Sequence, residues 1–174
     1  GPVAPFHETD LCTSDVDHSW NGTHRAWNGG LMDRFVAVNG ATGARAMAHY
    51  EESDLPYYRA LAAAFATSDR HFCSVLGPTF PNRYFLYCGT AFGKTANDVP
   101  LFGWTQRTVL DELTTRGITW RVYSDGPAFA NAFRNVRGSA NLKPLSQFFT
   151  DAAAGSLRSL SIVDPAFTGV ASEP

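Results

Sequence analysis

HFCSVLGPTFPNRYFLYCGT, residues 71–90, is the segment from which the fold of this chain is read. Its apolar run, Phe72 to Leu76, predicts a short buried strand over about 71–76, stopped by Gly77-Pro78. Pro81 then opens PNRYFLYC and Gly89 follows it. Proline suits the first turn of a helix and glycine the position past its end, so a helix of about two turns is predicted over 81–88. Thr79 falls on the bend between strand and helix, where backbone N–H groups and the helix dipole favour an anion. A threonine there either caps the helix or presents its hydroxyl to a phosphoryl group or a metal ion. The residues alone leave both readings open.

Outward from this segment the chain alternates helix and strand. Asp54 reads as an N-cap with Pro56 in the first turn of a helix reaching about residue 66. Its Leu55, Tyr58, Leu61, Ala62 and Phe65 share one face, predicted to be core. After a loop over 91–105, Thr108 heads a helix closed by Gly117, followed by the alternating strand ITWRVYS at 118–124. A broken segment from Pro127 to Asn141 holds a short helix, a further helix covers about 144–153, and LSIVDP at 160–165 is the last strand. Helices alternating with short apolar strands predict an α/β fold with a mostly parallel sheet flanked by helices. The first 34 residues, rich in His, Trp, Asn and Gly, read as a long irregular loop, of the kind that usually carries function. Within it Gly29-Gly30 predicts a tight bend, with Met32 and Phe35 anchoring it to the core.

A length of 174 residues, 44% of them hydrophobic, suffices for one domain or a large piece of one. A formal charge of −2 and scattered basic residues argue against nucleic acid as a partner. No apolar stretch approaches the ~20 residues of a membrane span. The N-terminal GPVAPFHETD has no signal-peptide pattern. Cys12, Cys73 and Cys88 form no zinc-type cluster; Cys73 and Cys88 are expected as small buried hydrophobes, with a disulfide between them the lesser alternative. Asn21-Gly22-Thr23 is a glycosylation sequon by pattern alone.

Four blocks in order carry a resemblance: Asp15-Val16-Asp17-His18-Ser19-Trp20, Ala26 to Phe35, Asp54-Leu55-Pro56-Tyr57-Tyr58, and Ser74 to Arg83. Together they resemble the phosphoesterase family of phosphatidylcholine-preferring phospholipases C and related acid phosphatases, over Leu11 to about Pro165. The resemblance implies an alkaline-phosphatase-like fold, here incomplete, and a divalent metal ion as cofactor. It implies Thr79 as the catalytic nucleophile and a metal ligand, passing through a covalent phospho-threonine intermediate. It places the imidazole of His18 beside the substrate phosphate. His24 is either a second pocket residue or a structural prop. Asn82 and Arg83, in the turn after Thr79, are candidates for substrate binding, with a salt bridge the usual alternative for Arg83. Trp20, Trp27, Phe80, Tyr84 and Trp104 offer either a choline-accepting cage or ordinary core. Asp125 and Asp164, at strand ends, read as structural, His71 as packed beside its strand, and His7 and His49 as solvated.

The family's E-N-R-S-F-D block and its C-terminal pair of aspartates, which supply the other metal ligands, are not in these 174 residues. The expectation is therefore part of a single catalytic domain, an internal portion of a longer enzyme, which alone holds the ion poorly and is inactive. The implied substrate is a phospholipid, or a small phosphoester if the protein is a phosphomonoesterase. A non-enzymatic module is the third reading. By the same resemblance the protein is secreted or periplasmic and touches membrane surfaces transiently.

Overall fold

The computed structural model describes residues 2–164. Its helical and extended elements run β1 (Phe6–His7), α1 (Trp20–Trp27), α2 (Phe35–Val38), β2 (Ala48–His49), α3 (Pro56–Ala64), α4 (Thr79–Cys88), α5 (Val109–Thr115), β3 (Trp120–Ser124), β4 (Leu142–Pro144), α6 (Leu145–Ala153) and β5 (Leu160–Asp164). Two compact units result. One holds the residues up to Asn82 with Lys94–Ala96; the other holds Arg83–Gly93 with the residues from Asn97 onward.

The second unit contains the α/β core. β3 is the middle strand of a parallel sheet ordered β4-β3-β5, with Val122 opposite Leu142 on one side and Ile162 on the other. Its Trp120, Val122, Tyr123 and Ser124 are all buried, as a central parallel strand requires. α5 starts where expected: the Thr108 hydroxyl accepts the N–H of Asp111, whose carboxylate returns a bond to the N–H of Thr108. Tyr84, Tyr87, Phe129 and Phe133 of this unit pack as one aromatic cluster, with ring centroids 5.3–6.4 Å apart. α6 is pinned to β3 by Asp151, which accepts from Tyr123 (2.7 Å), Gln147 (2.9 Å) and the Arg121 guanidinium. These bonds, that of Tyr123 foremost, lower its carboxyl to about 2. The short helix expected between 127 and 141 is a single 3-10 turn, Phe129–Ala132. β4 was not foreseen, because three residues ending in proline carry almost no strand pattern. Position 165 of the last predicted strand lies outside the described residues.

The first unit is built from short elements, and here several expectations are corrected. Residues 71–76 form no strand. A strand needs a paired neighbour, and the backbone N–H and C=O of Val75 are instead taken by the side chain of Asn82. With no strand to bury them, His71, Cys73 and Phe72 (81%) are exposed. All three cysteines are free thiols, and burial raises half-buried Cys88 to about 11.

The apolar face of α3 also lies outside the core: Tyr58 is 65% and Phe65 70% exposed. The periodicity identifies such a face correctly but cannot supply the surface that would cover it. Asp54 does not cap α3. Its carboxylate accepts the N–H of Glu51 and pairs with the His7 ring at 2.7 Å; these bonds, that of Glu51 foremost, lower its pKa, and the pairing raises that of His7. Met32 and Phe35 are exposed rather than anchored. The tight bend at Gly29 (φ 65°) and Gly30 (φ 96°) is present as expected.

The irregular loop predicted for the first 34 residues is interrupted by α1. Ser19 caps this helix through the N–H of Gly22, and Asn28 ends it in the left-handed region. Gly22 is dictated by packing: a Cβ there would lie 2.3 Å from the carboxylate of Asp17.

Candidate active site

α4 begins on Thr79 itself. Pro78 and Pro81 carry no N–H, so the backbone N–H groups at the opening of the helix are those of Thr79 and Phe80. The hydroxyl of Thr79, half-buried, makes no hydrogen bond among the described residues. A capping threonine would spend its oxygen on a backbone amide; this one is uncommitted.

The bend is rigid because of Asn82. Its Oδ1 accepts the N–H of Val75 at 2.9 Å, and its Nδ2 donates to the carbonyls of Val75, Gly77 and Pro78 at 3.0–3.2 Å. One side chain thus ties the loop 75–78 to the first turn of α4. Its amide is fully engaged with backbone, which makes it a brace for Thr79. Asn82→Ala strands these backbone groups, and at about 1 kcal/mol per hydrogen bond should cost about 2–4 kcal/mol. Thermal denaturation of the full-length protein should register that loss, together with reduced turnover.

α1 is docked on the same loop. The Thr23 hydroxyl donates to the carbonyl of Leu76 at 3.0 Å. The Trp20 ring covers Gly77 so closely that a Cβ there would stand 3.3 Å from it. His24 holds Trp20 in place: its Nδ1 meets the Trp20 carbonyl at 2.7 Å and its ring lies 4.2 Å from the indole. Of the two roles open for His24, the geometry supplies the prop.

His18 precedes the cap of α1, so the docking of that helix brings the histidine loop and the threonine loop into one unit. No hydrogen bond joins His18 to Thr79 among the described residues. Nδ1 of His18 lies 2.9 Å from Asp15 Oδ2 and 3.1 Å from the Val16 carbonyl. Asp17 accepts the N–H of Ser19 at 2.9 Å, and hydrogen bonds from Ser19 hold its carboxyl below the ordinary range. Asp15 was passed over in the sequence reading; its spacing of three from His18 was the available signal. Asn28 and Asp33 bond to each other at 2.8 Å across the glycine bend.

Arg83 belongs to the second unit. Its Nη1 pairs with Asp164 Oδ1 at 2.9 Å, and its guanidinium lies 5.3 Å from the centre of the Phe129 ring. Asp164, 1% exposed, also accepts the N–H of Phe129 at 3.0 Å. Tyr84 is wholly buried with its hydroxyl on the Asp98 carbonyl, and Trp104 stacks on Phe92 at 3.9 Å; both serve the core. No helix among the described residues is long and apolar enough to cross a membrane.

Among the described residues no group of three His, Cys, Asp or Glu side chains is placed to hold a metal ion. A single alcohol oxygen does not make a divalent site, so the described residues do not by themselves fit the implied cofactor.

Comparison with known proteins bears on the family of the chain. The chain is 34% identical to a non-hemolytic phospholipase C of Pseudomonas aeruginosa, over 83% of this chain and 24% of the relative. It is 35% identical to a non-hemolytic phospholipase C of Burkholderia pseudomallei, over 64% of this chain and 16% of the relative. It is 31% identical to the non-specific phospholipase C6 of Arabidopsis thaliana, over 79% of this chain and 28% of the relative. The chain therefore spans about a sixth to just over a quarter of the length of these relatives. The profile of the Phosphoesterase family matches from residue 3 to residue 169, across both compact units and the Thr79 bend, and the chain belongs to that family.

Proposed function

We propose that the whole protein is a phosphoester hydrolase of the phospholipase C type, with Thr79 as its nucleophile. The observation that carries this reading is the uncommitted hydroxyl of Thr79 at the head of α4, on a bend that Asn82 braces. An alcohol placed there faces the positive end of the helix, where a phosphoryl group is favoured. The names of the relatives support a phospholipid substrate.

In the first step the Thr79 Oγ–P bond forms as the bond from phosphorus to the diacylglycerol oxygen breaks. The hydroxyl proton of Thr79 ends on the departing alcohol. Water then attacks phosphorus, the Oγ–P bond breaks, and the phosphorylated head group leaves with Thr79 restored. His18 contributes a hydrogen bond to a phosphoryl oxygen. A threonine hydroxyl is weakly nucleophilic at neutral pH, and in the whole protein a divalent metal ion would supply the activation. Export from the cell and transient contact with lipid surfaces accord with such a substrate.

The test compares p-nitrophenylphosphorylcholine with p-nitrophenyl phosphate as substrates of the full-length protein, with divalent metal supplied. Faster hydrolysis of the diester is expected. Preference for the monoester would make the protein a phosphatase on the same scaffold. Hydrolysis of neither would leave a non-catalytic module.

A further inference from the structure

Among the described residues His18 meets only acceptors at Nδ1. A carboxylate oxygen of Asp15 lies at 2.9 Å and the carbonyl of Val16 at 3.1 Å, and neither can donate. The proton of the neutral ring must therefore sit on Nδ1, and Nε2 is left with a lone pair. Nε2 makes no hydrogen bond among the described residues, and the side chain is 38% exposed, so this nitrogen is the one offered to a ligand.

We propose that Asp15 is a positioning residue that fixes the Nδ1–H tautomer of His18, so that His18 binds a phosphoryl oxygen only as imidazolium. The proposal rests on the reading of His18 as a phosphate ligand. Histidine free of such a partner favours the Nε2–H tautomer, which donates to a phosphoryl oxygen while neutral. With Nδ1–H held by Asp15, neutral His18 turns a lone pair toward the anion and repels it. Only the second proton, on Nε2, makes the ring a donor.

Among the described residues, the carboxylates of Asp15 and Asp17 act on this ring. Asp15 is its direct partner. Asp17 acts on it electrostatically and is itself held by Ser19 and influenced by Arg25 of α1. His24, one turn into α1, is turned onto the Trp20 carbonyl. The amide of Asn39 holds the N–H of Asp17 at 2.6 Å and is not titratable.

The experiment uses full-length protein labelled with ¹⁵N-histidine, with His18 assigned by His18→Gln. In neutral His18 of the wild type, Nδ1 should give a pyrrole-type and Nε2 a pyridine-type ¹⁵N signal. Asp15→Ala should introduce the opposite tautomer. Asp15→Asn, which keeps an acceptor oxygen at this half-exposed position, should largely preserve the original one. Inorganic phosphate is then titrated calorimetrically at about pH 5 and about pH 8, the span over which imidazole changes charge. Wild-type affinity should fall between the two. The fall should be about two- to tenfold smaller in Asp15→Ala, the worth of one net hydrogen bond. The ionisation of phosphate itself is common to both proteins and cancels in the ratio.

A wild-type Nε2–H tautomer overturns the role of Asp15. An Nδ1–H tautomer with the same affinity fall in wild type and Asp15→Ala overturns the coupling to anion binding. That second result also removes His18 from the phosphate site while leaving the case for Thr79 untouched.

Discussion

Thr79→Val should lower phosphodiester hydrolysis by the full-length protein by a factor on the order of 10³ to 10⁶, the range seen when a covalent nucleophile is removed. Valine keeps the branched shape and volume of threonine and deletes only the hydroxyl. The packing of the bend between Pro78 and Pro81, both buried, is therefore retained. In barrier terms the loss is about 4–8 kcal/mol. Thr79→Ser, which retains the oxygen, should recover most of the rate. If Thr79 were only a cap, the valine variant would lose about 1 kcal/mol of stability and hydrolyse substrate normally. Parallel measurement of kcat/KM and of chemical denaturation separates the two, because nucleophile loss is large in rate and small in stability.

The second large effect concerns Asp164. Its carboxylate is almost fully buried and joins two partners: the Arg83 guanidinium, 19% exposed, and the N–H of Phe129. Asp164→Ala leaves a mostly buried cation and a backbone donor without this acceptor. Breaking a buried pair by removing one partner costs about 3–5 kcal/mol, and the residual exposure of Arg83 argues for the lower end. Denaturant unfolding of the full-length protein should show that loss. Asp164→Asn, which keeps an acceptor oxygen, should lose less. The same measurement bears on the proposed substrate role of Arg83. If Arg83→Ala lowers stability while KM is unchanged, the arginine serves the pair with Asp164. A rise in KM at unchanged stability would assign it to substrate.

What could be read from the sequence was what local chemistry determines. Thr108 followed three residues later by Asp111 specifies the start of α5 without reference to the rest of the chain. The alternation at 118–124 and the apolar run at 160–164 mark two sheet strands for the same reason. The expected strand at 71–76 was not legible, because the side chain of Asn82 takes up the backbone of Val75 that a strand would have offered to a neighbour. A polar side chain seven residues away does not register in a hydrophobic pattern. The face of α3 shows the complementary limit: spacing reveals Tyr58 and Phe65 as one stripe, but burial depends on a partner surface the stripe does not name. Ser19 could have announced α1, yet Gly22 and the asparagines around it obscure the helical pattern. The requirement for Gly22 becomes visible only when the Asp17 carboxylate is seen against it.

In the site the contrast is similar. Thr79 stands out because glycine, prolines and a helix start converge on it. The brace formed by Asn82 emerges only from distances, and the partnership of Asp15 with His18, hinted at by their spacing of three, is fixed by them. Both act through the backbone or through a proton position, which residue type alone does not reveal.

The most direct test of the central claim is to mix full-length protein with a phosphodiester substrate, quench in acid during turnover, and fragment the tryptic peptide 71–83 in a mass spectrometer. That peptide, cut after Arg70 and Arg83, holds Ser74 and Thr79 as its only hydroxyl side chains. A phosphorylated head group on Thr79 is the predicted result. Sustained turnover with Thr79 unmodified and the adduct on another residue would contradict the account.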